Sequence, residues 1–272
     1  MAAGLAALGS RQRLIVRDSS RAPRLPGAEV AEASSYRDGE AMRRALDGVR
    51  TLFLVSAREA IDRVTDHFSA VDAAVDAEVQ RIVYLSFMAA APQATFTFSR
   101  DHFATEQRIR RTGLAFTFLR SSLYLDFLAN MCGADGVIRG PAGKGRVAPV
   151  ARDDVAAVAV AVLTGTGHDG RTYDLTGPER LTMSEIAHQL GEVTGWRIFY
   201  REETLEEARA SRAPSGAPAW EIEGWVTTYA AIAAGEMDVV SDSVSRLTGH
   251  DPQTVRGWLL THPENWRHLV QP

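Results

Sequence analysis

Thr51-Leu52-Phe53-Leu54-Val55, a helical run from Ala60 to Ala77, and Arg81-Ile82-Val83-Tyr84-Leu85-Ser86 together decide the fold. The two apolar runs have strand length and no polar alternation, the pattern of strands buried on both faces. Between them Ile61, Val64, Phe68, Val71, Ala74 and Val75 recur at helical spacing, which predicts a helix with one apolar face. Strand, helix and strand in that order make a βαβ unit, so the strands are expected to run parallel.

The same alternation extends in both directions. Leu14-Ile15-Val16 reads as a buried strand ending in a turn at Asp18-Ser19-Ser20, and Ala28 to Ala33 as a weaker second strand. Asp38 opens a helix carrying Met42, Ala45 and Leu46 on one face before Gly48 stops it. Asp101 to Thr112 predicts a helix ended by Gly113, and Ala115 to Arg120 the next strand. The expectation is an α/β fold, with a Rossmann-like parallel sheet flanked by helices over residues 1–145. Residues 146–272 are expected to form a smaller, mostly helical portion over the carboxyl ends of the strands, where open α/β sheets bind ligands. There Val147 to Val150 reads as extended, Asp153 to Leu163 as a helix and Arg171 to Leu175 as a strand. Thr182 with Glu185 and Thr204 with Glu207 are capping boxes, and Asp251-Pro252 predicts the start of a last helix.

With 272 residues, a single body can bury ~73% of the surface its unfolded chain exposes. Hydrophobic residues at 45%, charged residues at 24% and a mean hydropathy of -0.13 exclude disorder, collagen and coiled coil. A net charge of -4, a pI near 6.0 and no long basic run argue against nucleic acid as the partner. No apolar run approaches the ~20 residues of a membrane helix. The one cysteine, Cys132, excludes an intrachain disulfide and a multi-cysteine zinc site, which fits a cytoplasmic, reducing setting. Five Arg and one acid before residue 26 are transit-peptide-like in composition, but the strand at Leu14 to Val16 is the better reading of that stretch.

Arg17 follows the first apolar run, where a side chain at a strand's carboxyl end can pair with a 2′-phosphate on adenosine ribose; this favours NADP(H) over NAD(H). Ser56-Ala57 and Ser86-Phe87 close the next two strands with small or hydroxyl-bearing residues suited to a ribose. No strand leads through a glycine-rich turn into a helix. Met1 to Gly9 reads as the last turns of a helix stopped by Gly9, so the first strand and its glycine turn are expected upstream of Met1. Gly140-Pro141-Ala142-Gly143-Lys144-Gly145 is a turn rather than a phosphate loop, because Ile138 and Gly145 stand where that motif needs Gly and Ser or Thr. Gly-x-Ser-x-Gly does not occur, and the spacing of His250, His262 and His268 is not that of a metal site. Trp220, Trp225 and Tyr229 share a helix and are expected to pack rather than line a pocket.

Arg81 to Phe87, Ser99-Arg100-Asp101-His102-Phe103-Ala104-Thr105-Glu106 and Gly113 to Arg120 together resemble the NmrA-like branch of the atypical short-chain dehydrogenase/reductases. Val150 to Ala156 and Tyr173 to Pro178 extend the likeness to roughly residues 5–200, closest to the type-2 quinone oxidoreductase and triphenylmethane reductase relatives. The resemblance implies an NADPH-binding domain with Arg17 at the 2′-phosphate, Ser56 and Ala57 along the cofactor path, and Ser86 and Phe87 beside the nicotinamide ribose. It puts His102 where the family often has Lys, as a cofactor contact or proton donor. Phe87, Ser121, Leu123 and Tyr124 then border the substrate, with Tyr124 as a second donor. The sole lysine, Lys144, has Gly140 four residues before it, so the Tyr-x-x-x-Lys pair of typical members is absent. For a member without that pair, the resemblance implies direct hydride delivery to a small electrophilic acceptor such as a quinone, dye or conjugated carbonyl. A non-catalytic NADP(H)-sensing regulator acting through protein partners, or an inactive truncated product, is the alternative; a homodimer is left open.

Overall fold

A computed structural model describes residues 1–270. In chain order it contains α1 (Ala2–Ala7), β1 (Gln12–Val16), β2 (Ala28–Glu32), α2 (Gly39–Leu46), β3 (Thr51–Val55), α3 (Arg63–Asp76), β4 (Arg81–Phe87), α4 (Thr97–Thr112) and β5 (Ala115–Ser121). Next come α5 (Leu125–Leu128), β6 (Val137–Gly140), β7 (Arg146–Val147), α6 (Arg152–Thr164), β8 (Arg171–Leu175), β9 (Leu181–Thr182), α7 (Met183–Thr194), β10 (Phe199–Glu202), α8 (Leu205–Arg212), α9 (Ala219–Ala233), α10 (Ser243–Thr248) and α11 (Val255–Thr261). The chain forms two compact units. The first takes Met1–Ser86, Asp101–Leu119 and Ala156–Tyr173; the second takes Phe87–Arg100, Arg120–Val155 and the chain from Asp174 onward. The chain passes between the units five times, where a single boundary at residue 145 is expected from the sequence.

The first unit holds the parallel strands. β1 pairs with β2 from Gln12↔Ala28 to Val16↔Glu32, and β3 pairs with β4 from Thr51↔Arg81 to Val55↔Leu85, both in parallel. β3, β4, β5 and β8 hydrogen-bond in that order, and among the described residues β1 and β3 have no strand between them. This is the Rossmann-like α/β class expected from the alternating strands and helices. β1 departs from expectation, since every one of its residues is only half-buried. Its pairing with β2 alone is the physical reason: the other edge has no neighbouring strand to cover it. Met42, Leu46, Leu54, Ile82, Tyr84, Ile109 and Phe118 form the core of this unit.

α3 departs in a second way. It begins at Arg63, leaving Ile61 82% exposed in the preceding loop; of the expected face Val71 and Ala74 are buried, Val64 and Phe68 are half-buried and Val75 is exposed, and the buried face turns instead toward Arg63, His67, Ala70 and Ala73. Hydropathy alone ranks Phe68 above His67, but His67 finds a hydrogen-bond partner for each ring nitrogen inside the core. Burial, and secondarily the charge of Arg63, push the His67 pKa down to about 3, so the ring is neutral.

The second unit combines helices with two small sheets, β6 with β10 in parallel and β7 with β9 antiparallel. Its core joins Leu125, Leu128, Ile138, Val147, Met183, Leu190, Ile232, Trp258 and Leu259. Both capping boxes form: Thr182 and Glu185 open α7, and Thr204 and Glu207 open α8. The cap of α11 is Thr254, whose hydroxyl accepts the Gly257 N–H at 3.0 Å, not Asp251; the helix therefore starts after the Asp-Pro pair rather than at it. Among the described residues no helix is long and apolar enough to cross a membrane.

Two outcomes are expected from these packings. A Cβ on Gly145 would stand 2.0 Å from the Ile232 carbonyl oxygen, a backbone atom that cannot swing away. Gly145→Ala is expected to lower stability by about 1–3 kcal/mol in urea unfolding. His67 is depressed from 6.5 to about 3, so between those values the unfolded chain binds a proton that the folded chain refuses. Above pH 6.5 the ring is neutral in both states and makes no difference; below it, stability falls by up to about 1.4 kcal/mol per pH unit until the folded value is reached. A pH series of urea midpoints is expected to be flatter by that amount in His67→Gln.

Candidate functional site

At the end of β1, Arg17 is exposed and makes no hydrogen bond or ion pair among the described residues. The turn after it is built by Asp18, whose carboxylate accepts the Ser20 N–H at 3.0 Å and the Ser20 hydroxyl at 2.6 Å, while Ser19 N–H donates to Glu32 at 2.8 Å. An uncommitted guanidinium beside a serine-bearing turn suits a phosphate dianion.

Ser56 and Ala57 leave β3. Ala57 N–H donates to His67 Nε2 at 2.8 Å, and His67 Nδ1 lies 2.8 Å from the Thr105 hydroxyl, which donates to the Asp101 carbonyl at 2.8 Å. On β4, the Ser86 hydroxyl donates to Glu106 at 2.7 Å and the Tyr84 hydroxyl meets His102 Nδ1 at 2.9 Å. His102, Thr105 and Glu106 stand three and four residues apart on α4, one face of a helix, and all are buried. Arg63, 2% exposed, pairs with Asp101 at 3.3 Å. Of the residues the sequence singles out, Ala57, Ser86 and His102 thus belong to one lattice of buried polar groups. His67, Thr105, Glu106 and Arg63 complete it and escape the sequence reading. The available signal was a polar residue falling at core spacing between Arg63 and Ala70.

In the second unit, Phe87 packs edge-on to Phe96 at 5.2 Å, Phe96 meets Phe98 at 5.4 Å, and Phe98 lies 6.1 Å from Trp220. The chain leaves β4 through Met88, whose N–H donates to the Ser121 carbonyl at 3.0 Å, and through Ala89 at φ 54°, a left-handed conformation that strains a residue with a Cβ. The Ser121 hydroxyl donates to the Tyr124 hydroxyl at 3.1 Å, and burial raises the Tyr124 pKa. Arg152 lies over the Tyr124 ring at 5.2 Å and over half-exposed Phe127 at 5.0 Å, 3.7 Å from Asp126. Leu123 points into the core of this unit. Tyr229 is buried beneath Arg212, and burial pushes its pKa up to about 12; Trp225 is more exposed. His250 and His268 are exposed, His262 stacks on Trp258 at 4.6 Å, and the described residues contain no cluster able to hold a metal.

For a dinucleotide these residues fit at two places. Arg17 has the charge an adenosine 2′-phosphate needs, and the turn at Ser56-Ala57 is small enough to lie beside a ribose; Ser86 lies within β4, 1% exposed, with its hydroxyl donated to Glu106. Gly165-Thr166-Gly167-His168-Asp169-Gly170 has the G-x-G-x-x-G spacing, which the sequence reading passed over, but it runs from α6 into β8, helix to strand, the reverse of the order that points a helix N-terminus at a pyrophosphate.

A family model described as NAD(P)H-binding matches residues 2–166. The chain is 34% identical over 242 residues to (4-alkanoyl-5-oxo-2,5-dihydrofuran-3-yl)methyl phosphate reductase of Streptomyces griseus subsp. griseus, covering 88% of this chain and 84% of that one. It is 30% identical over 246 residues to quinone oxidoreductase 2 of Escherichia coli, covering 89% and 85%. The crystal structure of that oxidoreductase complexed with NADPH superposes with a TM-score of 0.84 at 28% identity, over 95% of this chain and 90% of the other. Triphenylmethane reductase of Citrobacter sp. gives a TM-score of 0.79 at 30% identity over 95% and 89%. The chain belongs to the NAD(P)H-binding family, as an oxidoreductase of the NmrA-like branch of the atypical short-chain dehydrogenase/reductases, with NADP(H) as its cofactor.

Proposed function

We propose that the chain is an NADPH-dependent reductase of small electron-poor acceptors of the quinone, dye or conjugated-carbonyl class. The observation that carries this reading is the missing Tyr-x-x-x-Lys pair. Burial raises the pKa of Tyr36, Tyr84, Tyr124, Tyr200 and Tyr229, five of the six tyrosines. The single lysine has glycine, not tyrosine, four residues before it. A tyrosine made a weaker acid by burial is a poor general acid, which favours acceptors whose reduced form stabilises its own negative charge. The chemistry the cofactor supplies when bound is hydride.

In this reading Arg17 pairs with the 2′-phosphate, Ser56 and Ala57 border the ribose path, and buried Ser86 ties β4 to α4 through Glu106 behind it. Phe87 and Tyr124 offer ring faces to a flat acceptor, and Ser121 orients the Tyr124 hydroxyl. His102, with Nδ1 held by Tyr84, orients the α4 face that carries Glu106. The named relatives include a quinone oxidoreductase and a triphenylmethane reductase, which supports the acceptor class.

The test is NADPH oxidation against a panel of a benzoquinone, a naphthoquinone, a triphenylmethane dye and an enone, with NADH in parallel. Turnover of at least one acceptor, faster with NADPH, is expected; tight NADPH binding with no turnover on any of them overturns the reading in favour of a sensor. Arg17→Glu is expected to raise the Kd for NADPH at least about tenfold and leave that for NADH within about twofold. Equal losses for both cofactors would remove Arg17 from the 2′-phosphate.

A further inference from the structure

The hydrogen bonds around His67 can point in only one direction. The Ala57 N–H can only donate, so His67 Nε2, 2.8 Å away, is the accepting nitrogen of the neutral ring and the ring hydrogen sits on Nδ1. The Thr105 oxygen therefore accepts from His67 Nδ1–H at 2.8 Å, and Nε2 is left with its lone pair facing the Ala57 N–H at 2.8 Å. The run begins on a backbone donor and ends on a backbone acceptor, so no other tautomer satisfies it. It ties three segments of the first unit together: the turn leaving β3, the middle of α3 and the middle of α4. His67 is wholly buried, as is Thr105, so water does not substitute for either partner.

We propose that His67 is a positioning residue for the cofactor: by accepting the Ala57 N–H through Nε2 it holds the Ser56-Ala57 turn in the conformation that borders the NADPH ribose, without touching the cofactor itself. This rests on the reading of Ser56 and Ala57 as part of the NADPH path. The turn has a reason to need such a hold. Ser56 and Ala57 lie outside the strand ladder, and residues 56–60 have no regular secondary structure until the chain enters α3. A backbone N–H at the mouth of a strand is free to rotate unless something fixed accepts from it, and a neutral imidazole locked at its far nitrogen is such an acceptor. The assignment also accounts for a histidine occupying a core position of α3 where an aliphatic residue would pack without needing partners.

The test is a set of NADPH titrations and steady-state measurements on the full chain. His67→Leu keeps the bulk of the side chain and removes the acceptor; its Kd and KM for NADPH are expected to rise at least about tenfold while kcat at saturating NADPH stays within about twofold. His67→Gln retains an oxygen near the position of Nε2 and is expected to recover most of that affinity. Thr105→Val removes the acceptor of Nδ1–H, loosens the ring and is expected to weaken NADPH in the same direction, with the double variant no worse than His67→Leu. Gly145→Ala, a destabilised variant in the second unit, is the control for loss of stability, and its NADPH affinity is expected to stay at the wild-type value. An unchanged Kd in His67→Leu, or an equal loss in Gly145→Ala, overturns the inference while leaving the reductase reading standing. A wild-type chain that binds no NADPH overturns both.

Discussion

A buried imidazole must stay neutral and must find one donor and one acceptor, and in this protein that requirement organises the first unit. His67 meets it with Ala57 N–H on one side and Thr105 on the other, and the bond from Thr105 to the Asp101 carbonyl closes the run. Because each partner sits on a different segment, satisfying one ring sets the relative position of the β3 exit, α3 and α4. The neighbouring pairs, Tyr84 with His102 and Ser86 with Glu106, repeat the arrangement along the same face of α4. A polar group in a low-dielectric interior costs more unpaired than an apolar residue costs in imperfect packing, so such a lattice admits few alternative arrangements.

The sheet shows the opposite economy. β3 and β4 are paired and covered, whereas β1 pairs on one edge only and stays half-buried along its length. That exposure leaves the carboxyl end of β1 open, and Arg17 stands there without an internal partner among the described residues. A guanidinium already engaged by a carboxylate would have to break that pair to bind a phosphate; Arg17 does not, while Arg13, four residues earlier, is held by Glu29 and two carbonyls of the α2 end. The proton chemistry obeys the same burial logic. Burial pushes the pKa of the core tyrosines Tyr84 and Tyr229 up, so neither gives up its proton readily.

The short strands β6, β9 and β10 of the second unit are not legible in the sequence, whereas the strands of the first unit, their parallel sense, the stop at Gly9, where φ is 69°, and the caps at Asp38, Thr182 and Thr204 are. Each depends on residues within a few positions of one another: a hydroxyl three residues before a glutamate, a glycine where φ is positive, an unbroken apolar run. The NADP(H) preference was also local, because it rested on one arginine at one strand end. The buried face of α3 was not legible. Scored by hydropathy, Phe68 belongs inside and His67 outside; the order reverses because Thr105, almost forty residues away, arrives to accept from the ring. At the start of α11 two good openings compete, Asp251-Pro252 and Thr254, and the structure caps with the second.

What the sequence by itself determined was therefore the alternating strands and helices of the first unit and the caps of α2, α7 and α8, since periodicity, turn residues and caps act over distances the chain spans locally. The tertiary structure alone decided which polar side chains are buried together and how the chain divides, with segments at 101–119 and 156–173 returning to the first unit. Those outcomes depend on hydrogen-bond partners supplied from distant segments, and a partner's position exists only once the chain has folded.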